Sequence, residues 1–568
     1  MRTKDRQGGK PAPSSGTPEP KFDASFDVIV IGAGINGAGT AWDAAARGLR
    51  VALIEREDIG SGTSNYSGRL VHGGLRYLEQ GDVRLVRESL RERERLFRSA
   101  PHLVKPVSLM MPFYETNKRS KWFVRAGMIA YDVLSFDKST VSHHVLSREE
   151  TLKRSPGIDP DGLQGSAIFM DGQVVWSERL CTEIVLAASA AGAKVYTHAA
   201  VDGLVSDDNT VRGVRYTDRL TGERHALVAR LVVNAAGPWV DHVLASGGRT
   251  NERFIGGTKG SHAIVGPFPG APRDVVYYES KQDGRLVLVI PWGEHFMLGT
   301  TDRRFEGDPE EARADADEVD YLLGEVNRLI PGAKLTPADV LFTYSGVRPL
   351  PFNPGKAEWN VPRSHVIKDH APVQKGLLSL IGGKLTTYRS LAEDATDEIF
   401  KQLGRKPPKC ATETGPFVGA RVADWDAFRA ELAATGLAKP TVDRLVDLYG
   451  SRAGDIVALG RTEPELLKPL DTVTGVIGAE LVFTFKNEFC RTLSDVLVRR
   501  TMVSHSAGNG LGVVDRAADI LAAHLGWDRD RRDREVADYR RHVKRFAVPD
   551  ASPPAKPTTA ADLNASAA

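Results

Sequence analysis

The N-terminal part of the chain alternates short apolar runs with glycine turns. The run at 28–31 is continuously apolar, which predicts a buried parallel strand, and a second run at 51–54 ends at Glu55. Between them, three glycines at GxGxxG spacing open a helix: Gly32, Gly34 and Gly37. In such a unit the glycines permit a tight turn, a close approach to a diphosphate, and helix packing. Glu55, about 20 residues on, is placed to accept the ribose hydroxyls of a dinucleotide and disfavours NADP.

The same alternation returns twice further along the chain. One apolar strand ends in the small residues at 235–238, and another ends at Gly382 and Gly383 before a helix that starts near Thr386 or Thr387. A helix N-terminus there would stabilise negative charge on a reduced isoalloxazine ring, although an ordinary strand-to-helix turn has the same pattern. A second nucleotide-type turn favours a flavin over NAD and an interrupted cofactor domain.

We therefore expect an α/β fold with a discontinuous Rossmann-type FAD-binding domain and an α+β cap. The cofactor domain would comprise 25–100, 165–245 and 344–403, with 101–164 and 246–343 forming the substrate or cap domain. From 408 to 548, apolar residues recur at three- and four-residue spacing, as in TVDRLVDLYG and FCRTLSDVLVRRTMVSH, which predicts an α-helical C-terminal domain. The polar segments 1–24 and 550–568 predict a disordered arm and a disordered tail.

Composition is compatible with a large enzyme of a reducing compartment. The 568 residues, 41% of them hydrophobic, are enough for two or three cores, and the net charge of +2 gives no general attraction to nucleic acid. Three widely separated cysteines favour neither a disulfide framework nor a metal site. The N-terminus lacks the apolar segment of a signal peptide, and no run reaches the ~18 apolar residues that span a bilayer. We expect a cytoplasmic protein.

Between Glu55 and residue 103 the chain carries its most specific pattern, in which a TS-rich loop precedes HGGLRYLE and a charged helix ending in APHL. This pattern resembles the FAD-dependent glycerol-3-phosphate dehydrogenases, which share the fold of the D-amino-acid-oxidase-like superfamily. One departure is Tyr66, which is bulkier than the residues usual in that loop, whereas Arg69 keeps the charge of the family's lysine. Further matches follow in the same order: NAAGPWVD, KGSH, VIPW, GTTD, TYSGVRPL, GGKLTTYR and DVLVRRT.

The resemblance implies a set of FAD-binding residues in the glycine turns, the TS-rich loop and the HGG and GGKLTT motifs. They are Gly32, Gly34, Asn36, Gly37, Glu55, Thr63, Ser64, Ser67, His72, Gly73, Gly74, Ala236, Gly237, Trp239, Gly383, Lys384, Leu385, Thr386 and Thr387.

The resemblance also implies a cationic substrate pocket. Oxidation of a secondary alcohol needs a base, a hydride acceptor and, for a phosphate ester, fixed cations. His262 is the candidate base because its ordinary pKa lies near working pH; its alternative role is to donate a hydrogen bond to the substrate. Arg363, taken alone, is better explained as a solvated side chain, and only the family position makes the two interpretations equal. The implied catalytic and substrate-binding residues are His262, Arg348, Lys384, Arg76, Tyr77 and Arg363.

Two other charged segments have different interpretations. The alternating charges at 88–95 indicate a salt-bridged helix face without chemistry. Basic and apolar residues mix at 118–131, which suits either an anionic membrane surface or a partly buried helix with a solvated edge.

The implied reaction is the oxidation of sn-glycerol 3-phosphate to dihydroxyacetone phosphate by hydride transfer to flavin N5, with electrons passing to a membrane quinone. We expect peripheral attachment to the membrane, a homo-oligomer such as a dimer, and no bound metal. Alternatives are a glycerol-3-phosphate oxidase that uses oxygen, an amine or amino-acid oxidase of the same fold, and a flavin-binding sensor without activity.

Overall fold

The structure is a computed structural model that describes residues 22–79, 81–248, 252–355, 364–415 and 417–550. Its strands are β1 (Phe22–Ile31), β2 (Val51–Ile54), β3 (Leu70–Val71), β4 (Val104–Tyr114), β5 (His144–Leu146), β6 (Leu163–Val174), β7 (Lys194–Tyr196), β8 (Ala199–Asp207), β9 (Thr210–Asp218), β10 (Arg224–Asn234), β11 (Thr258–Val265), β12 (Val275–Glu279), β13 (Leu286–Trp292), β14 (His295–Gly299), β15 (Arg303–Arg304), β16 (Val340–Arg348), β17 (Val366–Asp369) and β18 (Leu377–Ile381).

The α-helices are α1 (Ile35–Ala46), α2 (Leu75–Glu79), α3 (Val83–Ser99), α4 (Lys121–Leu134), α5 (Arg148–Arg154), α6 (Ser177–Ala190), α7 (Val240–Ser246), α8 (Ala316–Leu329), α9 (Tyr388–Gln402), α10 (Trp425–Ala433), α11 (Lys439–Tyr449), α12 (Ala453–Thr462), α13 (Gly478–Asn487), α14 (Val514–Leu525) and α15 (Arg529–His542). None of the helices in the described ranges combines the length and apolarity needed to cross a membrane.

The first sheet is built around parallel strands in the order β18-β10-β1-β2-β7. Strand β17 closes one side antiparallel to β18, and the hairpin of β8 and β9 extends from β10. Every residue of β2 and β18 is buried, as expected for parallel strands covered on both faces. Helices α1, α6 and α9 pack together, and their apolar residues share one core with β1 and β2.

The second sheet has the order β15-β11-β14-β13-β12-β4-β6-β3, with β16 paired to β11 and β5 to β6. Its strands come from the segments expected to form the cap, and from all three segments assigned above to the cofactor domain. Strand β6 falls almost wholly in the range predicted to begin at 165, yet it pairs along its length with β4. Strand β3, from the range 25–100, pairs with β6, and β16 pairs with β11. Hydrogen bonding across the sheet decides this membership, and apolar runs alone do not reveal it.

The C-terminal part is helical, as predicted, and contains α10 to α15. The segment around 490–505 was expected to be a regular helix but instead forms a π-helix at Asp495–Arg500, followed by a short 3-10 turn at Val503–His505. Buried side chains of this segment, among them Val496 and Val503, share a core with Phe342 and Tyr344 of β16. The helical domain is therefore packed directly onto the second sheet.

Candidate active site

A cavity of about 670 Å³ opens at the carboxyl ends of the parallel strands of the first sheet, where nucleotides bind in open α/β folds. Residues that follow β1, β2, β10 and β18 line this cavity. Of the residues expected to bind FAD, the wall includes Gly32, Gly34, Asn36, Glu55, Thr63, Ser64, Ser67, Ala236, Gly237, Trp239, Gly383, Lys384 and Leu385.

Close backbone contacts require glycine at two positions of the GxGxxG turn. Gly32 has a φ of +100°, and a Cβ there would lie 2.7 Å from the Ala235 carbonyl oxygen. A Cβ on Gly37 would lie 1.9 Å from the Gly32 carbonyl oxygen, so this glycine serves helix packing and does not line the cavity. Ser64 Oγ accepts a hydrogen bond from the Ile35 amide at 3.0 Å, which fixes the TS-rich loop over the start of α1.

Glu55 is held rigidly at the end of β2. One carboxylate oxygen accepts from the Ala33 amide at 2.7 Å and the other from the Glu57 amide at 3.0 Å. Burial raises the pKa of Glu55, and the two amide hydrogen bonds oppose that shift. The carboxyl group lines the cavity at the position where a ribose is expected.

Several buried polar atoms of the cavity wall have no partner among the residues that the structure describes. They include Asn36 Oδ1, Tyr66 Oη and His542 Nε2. Buried polar atoms in folded proteins are nearly always hydrogen-bonded. Together with the glycine turn and Glu55, they fit a long polar ligand such as FAD, to which these atoms would bond.

Lys384 lies where the second nucleotide-type turn meets α3. Its Nζ donates to Ser89 Oγ at 3.0 Å and lies 4.1 Å from the centroid of the Tyr77 ring. Burial lowers the pKa of Lys384. Because Lys384 forms no ion pair with a carboxylate of the described residues, its charge is free to bind an anion.

His262 lies on β11, in register with Gly299 of β14 and Tyr344 of β16. Its ring is 4.8 Å from the Tyr344 ring, and its Nδ1 has no partner in the described chain. Burial, followed by the charges of Arg348 and Arg69, lowers the pKa of His262 to about 3. The imidazole is therefore neutral near pH 7, the state in which it can accept a proton.

Arg348 ends β16, between the cavity-lining residues Val347 and Pro349. Its guanidinium donates to Asp302 Oδ1 and Thr300 Oγ1, both at 3.0 Å. A Cβ on Gly260 would lie 2.2 Å from Arg348 Nη2, so the glycine of KGSH makes room for this side chain. Arg348 is thus already paired, with 24% of its side chain exposed.

The HGG motif and the two threonines expected to bind FAD lie behind the cavity wall. Thr386 Oγ1 accepts from the His72 amide at 3.2 Å, and Thr387 occupies the N-cap position of α9 without a side-chain capping hydrogen bond. The Gly73 amide donates to Tyr131 Oη at 2.9 Å, while Gly74 packs against Tyr77. Burial, with the charge of Lys384, lowers the pKa of His72 to about 4. Their contact with FAD stays a prediction.

Two residues expected in the substrate pocket are not described fully. Arg363 lies outside the described residues, and Arg76 belongs to α2 but its side chain is outside the described part of the structure. Their roles stay predictions.

The charged helix face at 88–95 is salt-bridged, as predicted, and Glu92, Arg93 and Glu94 on it are buried. Arg93 pairs with Asp171 at 2.7 Å, and Glu92 pairs with Arg389 at 2.7 Å. Asp171 in turn accepts from Tyr131 Oη at 2.8 Å, so this helix supports the Gly73 loop from behind. Alternating charges alone do not distinguish a solvated face from one that meets charges of another segment.

Sequence reasoning missed the contribution of the cap and the C-terminal domain to the cavity. Apart from the DVLVRRT motif, no pattern pointed to them, because they reach the wall only through tertiary packing. The additional lining residues include Arg313, Thr492, Ser494, Asp495, Arg499, Glu535, Asp538, Arg541, His542 and Arg545.

Comparison with known proteins identifies the family of this chain. Residues 27–389 match the family model of FAD dependent oxidoreductases, and residues 410–532 match that of the C-terminal domain of alpha-glycerophosphate oxidase. A glycerol-3-phosphate dehydrogenase of Synechocystis sp. is 42% identical, over 93% of this chain and 98% of that protein. An aerobic glycerol-3-phosphate dehydrogenase of Staphylococcus haemolyticus is 33% identical, over 84% and 86%.

A solved structure extends the likeness to three dimensions. The FAD complex of glycerol-3-phosphate dehydrogenase from Bacillus halodurans superposes with a TM-score of 0.75 at 27% identity, covering 94% of this chain and 97% of that one. The fold is thus the FAD-binding fold of this oxidoreductase family with a helical C-terminal domain, and FAD is the cofactor. The chain belongs to the family of FAD-dependent glycerol-3-phosphate dehydrogenases.

Proposed function

We propose that this protein oxidises sn-glycerol 3-phosphate to dihydroxyacetone phosphate and passes the electrons to a membrane quinone. The observation that carries the proposal is the free charge of Lys384, which lies beside Tyr77 in the wall of the cavity. A buried ammonium without a carboxylate partner is costly unless an anionic ligand neutralises it. The phosphate of the substrate is such a ligand.

The residues around the cavity have distinct roles in this proposal. FAD, when bound, supplies the two-electron acceptor for the hydride of the alcohol carbon. His262 accepts the hydroxyl proton at Nε2, which faces the Gly68 turn. Its neutral imidazole is a weak base, because burial and Arg348 disfavour the cation. Proton transfer therefore has to accompany hydride loss, because the loss of hydride from the alcohol carbon makes the hydroxyl proton more acidic.

Arg348 orients the substrate while staying paired. Asp302 and Thr300 hold the guanidinium, so its position does not depend on the ligand. A guanidinium has five N–H donors, of which Asp302, Thr300 and the Thr301 carbonyl accept three, so donors remain for a substrate oxygen. Arg363 and Arg76 are proposed to add positive charge to the same pocket.

The proposal is tested by anaerobic reduction of the purified holoenzyme. Glycerol 3-phosphate should bleach the absorbance of oxidised flavin, and glycerol at the same concentration should not. Equal bleaching by glycerol would exclude phosphate recognition. Reduction by amino acids but not by glycerol 3-phosphate would favour the rival amino-acid oxidase, and no reduction by any alcohol or amine would favour a flavin-binding sensor.

The proposed acceptor requires contact with a membrane, and α4 offers a surface for it. This helix buries Val124 and Met128, whereas apolar side chains of α4 and the following turn are at least half exposed. An apolar exposed surface beside Lys121 and Arg125 suits the interface of an anionic bilayer. The exposed apolar residues are Trp122, Phe123, Ile129, Val133 and Phe136.

Attachment and acceptor are tested together with liposomes. Wild-type protein should sediment with vesicles containing anionic lipid, and W122A/F123A should not. V366A, which alters an exposed apolar residue of β17, is the control. The substrate-reduced enzyme should be reoxidised faster by a soluble quinone than by oxygen. Faster reoxidation by oxygen would instead indicate a glycerol-3-phosphate oxidase.

A further inference from the structure

The cavity wall carries more positive charge than the substrate pocket needs. Most of the arginines that line it form an ion pair: Arg56 with Glu310 at 3.1 Å, Arg219 with Glu57, Arg499 with Asp58 at 2.5 Å, and Arg541 with Asp538. Across the described ranges, three lining cations have no carboxylate partner: Lys384, Arg313 and Arg545. Lys384 serves the substrate end, so two arginines are left unexplained.

These two arginines come from different domains and converge on one carbonyl. Arg313 of the cap donates to the Glu310 carbonyl oxygen at 2.9 Å, and Arg545 of the C-terminal domain approaches the same oxygen at 3.5 Å. Burial, followed by the charge of Arg545, lowers the pKa of Arg313. Two guanidinium groups sharing one neutral acceptor repel each other unless an anion lies between them.

Two buried polar atoms face the same part of the wall. The Arg545 guanidinium lies 4.9 Å from the centroid of the Tyr66 ring, and Tyr66 Oη has no hydrogen-bond partner within the described chain. His542 Nε2, one helical turn before Arg545, also lacks one. Tyr66 is 7% exposed, so its hydroxyl is not satisfied by bulk solvent. We call Arg313, Arg545, Tyr66 and His542 the arginine wall.

Within the described part of the chain, each carboxylate that lines the cavity near the arginine wall already has a partner, so none is free to neutralise it. Glu310 pairs with Arg56, and Asp538 with Arg541. Asp495 pairs with His198 and Arg499, and Glu535 accepts from the Leu493 amide at 2.7 Å. An anion that completes the wall must therefore come from a ligand.

We propose that the arginine wall binds the diphosphate of FAD, so that the cap and the last turn of the C-terminal domain complete the cofactor site. Tyr66 follows Ser64 by two residues, and Ser64 fixes the loop over the N-terminus of α1, where a dinucleotide diphosphate binds. A diphosphate carries two negative charges, which match two guanidinium groups. The phosphate of the substrate has its own cations in Lys384 and Arg348.

The proposal predicts faster loss of FAD when the arginine wall is altered. Purified holoenzyme is diluted into buffer without FAD, and the rise in free-flavin fluorescence gives the release rate. Arg545→Ala should increase this rate about ten- to hundredfold, because a charge-assisted contact is lost. Arg545→Lys keeps the positive charge, so its release rate should lie between those of wild type and Arg545→Ala. Added salt should narrow the difference in release rate between wild type and Arg545→Ala.

Two further variants keep the test decisive. Tyr66→Phe removes only the hydroxyl, keeps the ring under Arg545, and should accelerate release severalfold even if Arg545→Ala does not fold. The control is Arg540→Ala, because Arg540 is exposed and pairs with Asp515 at 2.6 Å, away from the cavity. Its release rate should equal that of wild type.

Phosphorus NMR of the holoenzyme provides a direct readout. The two diphosphate resonances of bound FAD should shift in Arg545→Lys and stay unchanged in Arg540→Ala. Unchanged resonances and release rates, with a raised KM for glycerol 3-phosphate, would show that the wall guides the incoming substrate, and would overturn the proposal. Unchanged values in all three measurements would also overturn it, without affecting the proposed reaction.

Discussion

At the scale of single residues, the site depends on which charges are paired and which are free. Arg348 pairs with Asp302, whereas Lys384 contacts the hydroxyl of Ser89 and the face of Tyr77 and has no carboxylate partner among the described residues. Both residues were expected in the substrate pocket, and their different partners lead us to propose different tasks for them. A paired guanidinium orients a ligand from a fixed position, whereas an unpaired ammonium gains most of its neutralisation from the ligand itself.

Replacing Lys384 should therefore impair substrate recognition. We expect Lys384→Met to lower kcat/KM for glycerol 3-phosphate roughly ten- to hundredfold, as a lost charged hydrogen bond of about 1.5–3 kcal/mol requires. Lys375→Met, at an exposed position before β18, is the control and should have no effect. Steady-state kinetics measure both, and equal values for the two variants would remove Lys384 from the site.

The same lysine should set the alkaline limb of the pH profile of kcat/KM. Burial lowers the pKa of Lys384, and only the protonated form attracts phosphate, so binding is lost as pH rises through the lowered value. The wild-type kcat/KM should fall at a pH below the ordinary lysine value of about 10.4. In Lys384→Arg that limb should move to higher pH. A limb at the same pH in both proteins would assign it to another group.

His262 should affect the chemical step more than binding. Loss of a positioned base costs about 10²- to 10⁴-fold in rate, so His262→Gln should lower kcat by that factor while the flavin spectrum is retained. A solvent isotope effect on flavin reduction should report the proton transfer. A raised KM with an unchanged kcat would instead support the alternative in which His262 only donates a hydrogen bond to the substrate.

At the scale of elements, the turn between β1 and α1 holds the cofactor domain together. Gly37 approaches the Gly32 carbonyl so closely that a methyl group cannot fit. We expect Gly37→Ala to reduce the FAD content of the purified protein and to lower its unfolding temperature. Gly324→Ala is the matched control, because Gly324 lies inside α8, where an added Cβ would meet no atom within 4 Å, and alanine favours helix.

Prediction from sequence succeeded where neighbouring residues decide the element. Strand β2 occupies the predicted 51–54, and α9 begins at Tyr388, next to the predicted Thr386 or Thr387. It failed at 495–500, where a π-helix directs Arg499 and Arg500 onto Asp58 at 2.5 and 2.7 Å. Helical spacing in the sequence does not reveal a distant carboxylate that draws two arginines to the same side.

At the scale of the whole molecule, buried ion pairs join the helical domain to the cofactor domain. Glu488, which follows α13, accepts from Arg179 of α6 at 2.5 Å and from Arg452 at 2.5 Å. Burial alone would raise the pKa of Glu488, but Arg179 and Arg452 hold it at about 2. This cluster fastens the domain that supplies His542 and Arg545 to the cavity.

Breaking that cluster should destabilise the protein. Glu488→Gln removes the nearest carboxylate of two buried arginines and leaves them Glu183, at 3.8 Å from Arg179 and 3.6 Å from Arg452. Loss of a buried ion pair costs up to about 3–5 kcal/mol. Because the folded pKa is depressed, the stability difference from wild type should be complete above about pH 4.3 and should shrink as pH falls towards 2. Glu431→Gln, at an exposed position, is the control in thermal unfolding. A difference that does not depend on pH would contradict this account.

The sequence by itself determined the strands, the glycine turns and the class of cofactor, because these depend on residues within one element or one turn. The tertiary structure alone decided which cations stay free at the cavity. Asp302 reaches Arg348 and Asp58 reaches Arg499 from other parts of the chain, while no described carboxylate reaches Lys384, Arg313 or Arg545. Charges act over a few ångströms, and only folding brings distant residues within that range.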